Sequence, residues 1–220
     1  MKGRIMPVIA LKDVSVGFRG NQLLDRVSLE LEEGRTYGLV GPNGSGKSVL
    51  LKLICGFLIP TSGEVYVDPK YMSAGRTYPD KFGIAINGPA YLPNRTAEGN
   101  LLELAQIRGQ IGIAEIRAML DAVTLGSGGK QKVKNFSLGM KQKLSLAQAL
   151  MEEPDVLLLD EPFNALDSES VETVKELLRE QKALGTTILF TSHNKQDIED
   201  LCDDVFEIVG SKVVLLSRQQ

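Results

Sequence analysis

The chain opens in short β-type runs. Positions 8–11, 27–31, 37–40 and 64–67 are apolar and β-rich, each bounded by Gly, Asp or Pro, and predict strands. One helix, at about 46–57, interrupts them. Between about 88 and 153 the spacing becomes helical: Ile113, Ile116, Leu120 and Val123 share one face, and Leu144, Ala147 and Leu150 another. From 154 onward β and α alternate again, with an apolar strand at 156–159, a helix at about 168–184, a strand at 187–190 and a helix at about 195–202. Continuous apolar strands separated by helices predict an α/β fold with a parallel sheet covered on both faces, into which a helical lobe is inserted.

The length, 220 residues, suits one domain over 1–220 that includes the lobe at about 88–153. Apolar residues at 43% and charged residues at 24% are those of a globular chain, which excludes disorder and fibrous repeats. The net charge of -3 argues against nucleic acid or an anionic membrane surface as an electrostatic partner. The longest apolar run, 53–59, falls far short of the ~20 residues of a membrane span. Lys2 and Arg4 precede an apolar run from Ile5, but Pro7, Lys12 and Asp13 break it, so a first strand is favoured over a signal peptide. Two cysteines and one histidine support neither a disulfide framework nor a zinc site, and a cytoplasmic setting is expected.

Two motifs carry chemistry. Gly41-Pro42-Asn43-Gly44-Ser45-Gly46-Lys47-Ser48 is a P-loop pattern, set between a predicted strand and a predicted helix. Its glycines let successive backbone N–H groups face phosphate oxygens, and the helix adds its positive end. Lys47 is suited to neutralise the β and γ phosphates of ATP, and Ser48 to offer its hydroxyl to Mg²⁺. A P-loop alone leaves kinases, GTPases, helicases and transport ATPases open. The second motif, Asp160-Glu161-Pro162, ends the apolar strand at 156–159, the end of a parallel strand where ligands bind. Adjacent positions face apart, which assigns Asp160 to the metal and Glu161 to a water.

The order of the P-loop, Phe136-Ser137-Leu138-Gly139-Met140-Lys141-Gln142, Asp160-Glu161-Pro162, Asn164-Ala165-Leu166-Asp167 and Ser192-His193 resembles the ATP-binding cassette (ABC) family over essentially the whole chain. The resemblance implies the ABC ATPase fold: a P-loop NTPase core with a mainly parallel sheet, an antiparallel β subdomain and an inserted helical subdomain. It implies Lys47, Glu161 and His193 as catalytic residues, with His193 contacting the γ-phosphate. Nucleotide contacts fall on Phe18, residues 41–49 and, from a second cassette, Ser137 and Gly139. Phe18 stands where an aromatic stacks on adenine, although a strand-edge core position explains it as well. Ser137 reads on its own as the N-cap of a helix at about 138–151. One P-loop and two phosphate-directed helix ends suggest that the second end serves another copy, and the resemblance implies a head-to-tail dimer.

Two positions depart from the family. Val49 stands where a hydroxyl is common. Asn87 replaces the family's metal-contacting Gln, keeping the amide on a stem one methylene shorter. The resemblance therefore implies metal contacts from Ser48, Asn87 and Asp160. The stretch from Tyr91 to Leu101 and that from Ser137 to Gln142 are similar to the branch that includes bacitracin-resistance and lantibiotic-immunity exporters. A separate transmembrane permease follows as partner, docking beside residues 87–95 with Tyr91 and Leu92 as anchors or as core. The protein is then peripheral on the inner face of the membrane. Competing readings are a soluble non-transport ABC ATPase, such as one of iron–sulphur assembly, and a P-loop kinase with Lys130, Lys132, Lys134, Lys141 and Lys143 as a lid.

Overall fold

The computed structural model describes residues 7–18, 20–73, 78–88, 91–126 and 129–218. The basic start of the chain and Pro89 and Ala90 of the expected docking segment lie outside these residues.

Strands β1 (Ile9–Phe18) and β2 (Asn21–Leu31) form an antiparallel hairpin, and β4 (Ser62–Val67) pairs with the other edge of β1. The first two strands are far longer than the apolar runs that predicted them. Apart from Phe18, their solvent-facing positions are polar, and register shifts between Leu11 and Val14 interrupt the alternation at Asp13, which has a positive φ.

The second sheet has six strands in the order β5-β6-β7-β3-β8-β9, formed by β3 (Thr36–Val40), β5 (Phe82–Ala85), β6 (Val156–Leu159), β7 (Thr187–Thr191), β8 (Asp204–Val209) and β9 (Lys212–Arg218). All its pairs are parallel except the β8–β9 hairpin. Alternate residues of β6 and β7 feed two cores, as a sheet covered on both faces requires. Leu157, Leu159, Ile188 and Phe190 pack with the helical side, while Val156, Leu158 and Leu189 pack with β1, β2 and α1 (Lys47–Ile54).

Between β5 and β6 the chain forms α2 (Ala97–Arg108), α3 (Ile113–Ala122) and α4 (Leu138–Leu150). Ile116, Leu120, Val123, Leu144, Ala147 and Leu150 are buried as their spacing predicts, whereas Ile113, the first residue of α3, is exposed. After β6 come α5 (Ser168–Ala183), capped by Asp167, and α6 (Lys195–Leu201), capped by Asn194. Helix α1 stops at Ile54, short of the predicted 57, because Gly56 turns the chain with φ 75°.

Candidate active site

The topology brings three chain segments to one point. Strands β6, β7 and β3 are parallel neighbours, so their carboxyl ends lie side by side. Val40 leads into the P-loop, Leu159 into Asp160 and Thr191 into Ser192 and His193. Positive φ at Gly41, Gly44 and Gly46 (148°, 78° and 107°) wraps the loop in conformations that side chains disfavour. It opens onto α1, whose cap residue Gly46 makes no side-chain bond and whose first turn holds no acid. The first-turn N–H groups of this helix are left for an anion.

Lys47 is buried and folds back over the loop, its Nζ donating to the Gly41 carbonyl at 2.7 Å and the Pro42 carbonyl at 3.2 Å. Ser48 Oγ donates to Asp160 Oδ2 at 2.6 Å. Thr191, fully buried on β7, locks the two acids: its hydroxyl donates to Asp160 Oδ1 at 2.9 Å and accepts the Glu161 N–H at 2.8 Å. His193 Nε2 stands 2.9 Å from Glu161 Oε1, but the contact is not aligned as a hydrogen bond, and that oxygen is buried without a donor. Ser45 Oγ is likewise buried without a partner. Burial raises the Glu161 carboxyl above its usual pKa and Asp160 adds to the rise, while His193 and Lys47 oppose it.

A cavity of about 400 Å³ lies over this cluster, lined by Leu23, Asn43, Gly44, Gly46, Lys47, Ser48, Val49, Asp160, Glu161, Asn164 and His193. Its polar floor, uncapped helix end and partly buried Glu161 carboxyl suit a phosphate chain with a water beside it. Among the described residues no group of three or more His, Cys, Asp or Glu is placed to hold a metal. The Ser48–Asp160 pair is instead the kind of sparse oxygen set that binds Mg²⁺ together with substrate phosphates.

A family model described as ABC transporter matches residues 24–164, more than half of the chain. The chain belongs to the ABC transporter family of ATP-binding proteins. The cassette is 38% identical over 201 residues to an uncharacterized ABC transporter ATP-binding protein of Bacillus subtilis, YybJ, covering 91% of this chain and 92% of that one. It is 32% identical over 208 residues to the lantibiotic transport ATP-binding protein SrtF of Streptococcus pyogenes, covering 94% and 90%. Its fold matches the dimeric post-hydrolysis state of the cassette MJ0796 bound to ADP and Pi, with a TM-score of 0.85 at 25% identity, covering 96% of this chain and 99% of that one. The ABC ATPase fold expected from sequence holds, and the relatives include ATP-binding proteins of lantibiotic and bacitracin transport. The cassette is an ATP-hydrolysing cassette of the ABC transporter family, a reading favoured over the P-loop kinase and the soluble assembly ATPase.

Several expected site residues are not among those lining this cavity. Phe18 is exposed at the end of β1, and Leu23 lines the cavity instead. Asn87 is exposed just beyond β5 with φ 58° and does not line it. Ser137 caps α4 by accepting the Met140 N–H at 3.2 Å, and Leu138 beside it is 72% exposed. Gly139 packs so closely on the segment after β6 that a Cβ there would lie 2.7 Å from the Ala165 carbonyl oxygen. Thr191 and Leu23 were missed by sequence reading, since neither carries a motif of its own.

Proposed function

We propose that the protein, as one ATP-binding domain spanning 1–220, hydrolyses Mg²⁺-ATP in this cavity to power a separate transmembrane permease. The observation that carries this reading is the meeting of an uncapped P-loop helix, the Ser48–Asp160 pair and the partly buried Glu161 beside His193 at three adjacent strand ends. Lys47 and the N–H groups of residues 44–49 hold the phosphates. Ser48 and Asp160 are the donors for Mg²⁺, which when bound neutralises charge on the phosphoryl group. Glu161 accepts the proton of the water that attacks the γ-phosphorus as ADP leaves, and His193 orients that water.

The exposed Ser137 and Leu138 at the start of α4 support a head-to-tail dimer in which each copy completes the other's site. Phe18, exposed at its hairpin, remains available to an adenine ring. Among the described residues no helix is long and apolar enough to cross a membrane, in keeping with a peripheral role at the cytoplasmic face. A groove of about 440 Å³ between β5 and α2, lined by Phe57, Ile86, Gly88 and Ile107 among others, is the docking site for the permease. Tyr91 is less free to anchor it, since its hydroxyl donates to the Lys141 carbonyl at 2.9 Å.

The dimer is tested by mixing a Lys47→Ala chain with a Ser137→Arg chain, each inactive alone. Activity reappears in the mixture, because half of the composite sites in mixed dimers join two intact surfaces. Demonstrable heterodimers without recovered turnover would refute it.

A further inference from the structure

Glu161 holds an unusual backbone. Its φ of 51° is left-handed, a conformation that a residue with a Cβ keeps only when its surroundings enforce it. The N–H side is held by Thr191 on β7. The carbonyl side is held from a different part of the fold. Gln142, one turn into α4, reaches across and donates its Nε2 to the Glu161 carbonyl at 3.2 Å and to the Pro162 carbonyl at 3.0 Å. Only the amide nitrogen of a glutamine has hydrogens to satisfy two carbonyl oxygens, so the orientation of the side chain is determined by its partners. The Glu161 carbonyl also accepts the Asn164 N–H at 3.2 Å, which completes its acceptor capacity.

We infer that Gln142 is a positioning residue for Glu161: by bridging the Glu161 and Pro162 carbonyls it makes the left-handed backbone of the glutamate depend on where α4 sits. The inference rests on the reading of Glu161 as the hydrolytic base. Helix α4 begins at the exposed Ser137 and Leu138, and Gly139 packs against the Ala165 carbonyl of the same post-β6 segment. Any shift of α4 relative to the sheet therefore acts on both ends of residues 161–165. Gln142 is thus a direct side-chain link from α4 to the backbone of the hydrolytic residue.

The test compares Gln142→Leu, which keeps volume and loses the donor, with Gln142→Lys, which keeps a donor at similar reach, each made in the wild-type and Glu161→Gln proteins. Turnover and ATP affinity are measured separately. Gln142→Leu lowers kcat about tenfold, the effect of about one lost hydrogen bond, and leaves ATP affinity within about twofold. Gln142→Lys recovers most of the loss, and neither substitution lowers the residual turnover of Glu161→Gln further, because both act through one group. Wild-type kcat in Gln142→Leu, with Glu161→Gln inactive, overturns the positioning role and leaves the base intact. Parallel losses of kcat, ATP affinity and melting temperature that Lys does not rescue overturn it in favour of a merely structural contact. Wild-type turnover in Glu161→Gln overturns the base assignment beneath it.

Discussion

Replacing Thr191 by Val removes one hydroxyl and little volume, so its effect isolates the bridge between the two acids. The wild-type hydroxyl gives a bond to the Asp160 carboxylate at 2.9 Å and takes one from the Glu161 N–H at 2.8 Å, at a position with no solvent access. A bond to a charged group contributes about 1.5–3 kcal/mol, and a buried N–H left without an acceptor costs about 1–3 kcal/mol. The two share one atom and are not additive, so the expected loss is about 2–4 kcal/mol. For a chain of this size that lowers the unfolding midpoint by roughly 5–15 °C. Thr191→Ser keeps the hydroxyl and loses a methyl group, worth about 1 kcal/mol. Thermal and urea unfolding of the three proteins, with ATP turnover alongside, measures the difference. A Val variant as stable as the wild type, within about 0.5 kcal/mol, would show that the bridge contributes nothing.

Other outcomes follow from the same geometry. Lys47→Ala weakens ATP binding by roughly 10- to 100-fold in a titration, the value of a charge-assisted phosphate contact, and unchanged affinity would place the nucleotide elsewhere. The base must be ionised to accept a proton, and burial raises the pKa of Glu161. Turnover therefore falls as pH drops through a value above the usual glutamate figure of about 4.3, and an acid limb at or below that figure would contradict the burial argument. Gly139→Ala sets a methyl 2.7 Å from the Ala165 carbonyl oxygen and forces α4 from the post-β6 segment, lowering stability by about 1–3 kcal/mol in urea unfolding. A neutral result would show that the close approach relaxes at no cost.

The parts legible in the sequence are those whose chemistry is local. Strand β6 was bounded residue for residue because Val156–Leu159 is buried on both faces and ends in acids. The buried side of α3 and α4 followed from helical spacing, and the P-loop from its own residues. Strands β8 and β9 were not anticipated. Asp204 and Glu207 interrupt the first, and the second is an edge strand with exposed Val214, Leu215 and Leu216, so neither reads as a clean buried or alternating run. The roles of Thr191 and Gln142 were hidden for another reason. Thr191 meets Asp160 only through the β6–β7 register, and Gln142 reaches Glu161 only because α4 docks beside it.

The most direct measurement of the central claim is ATP turnover and ATP binding by Glu161→Gln beside the wild-type protein. Gln keeps the shape of the side chain and cannot accept the proton of the attacking water. Turnover falls by about 10²-fold or more, as for loss of a positioned general base, while ATP affinity is retained and an ATP-bound dimer accumulates. Turnover equal to wild type in this variant would contradict the assignment of Glu161 and the mechanism built on it.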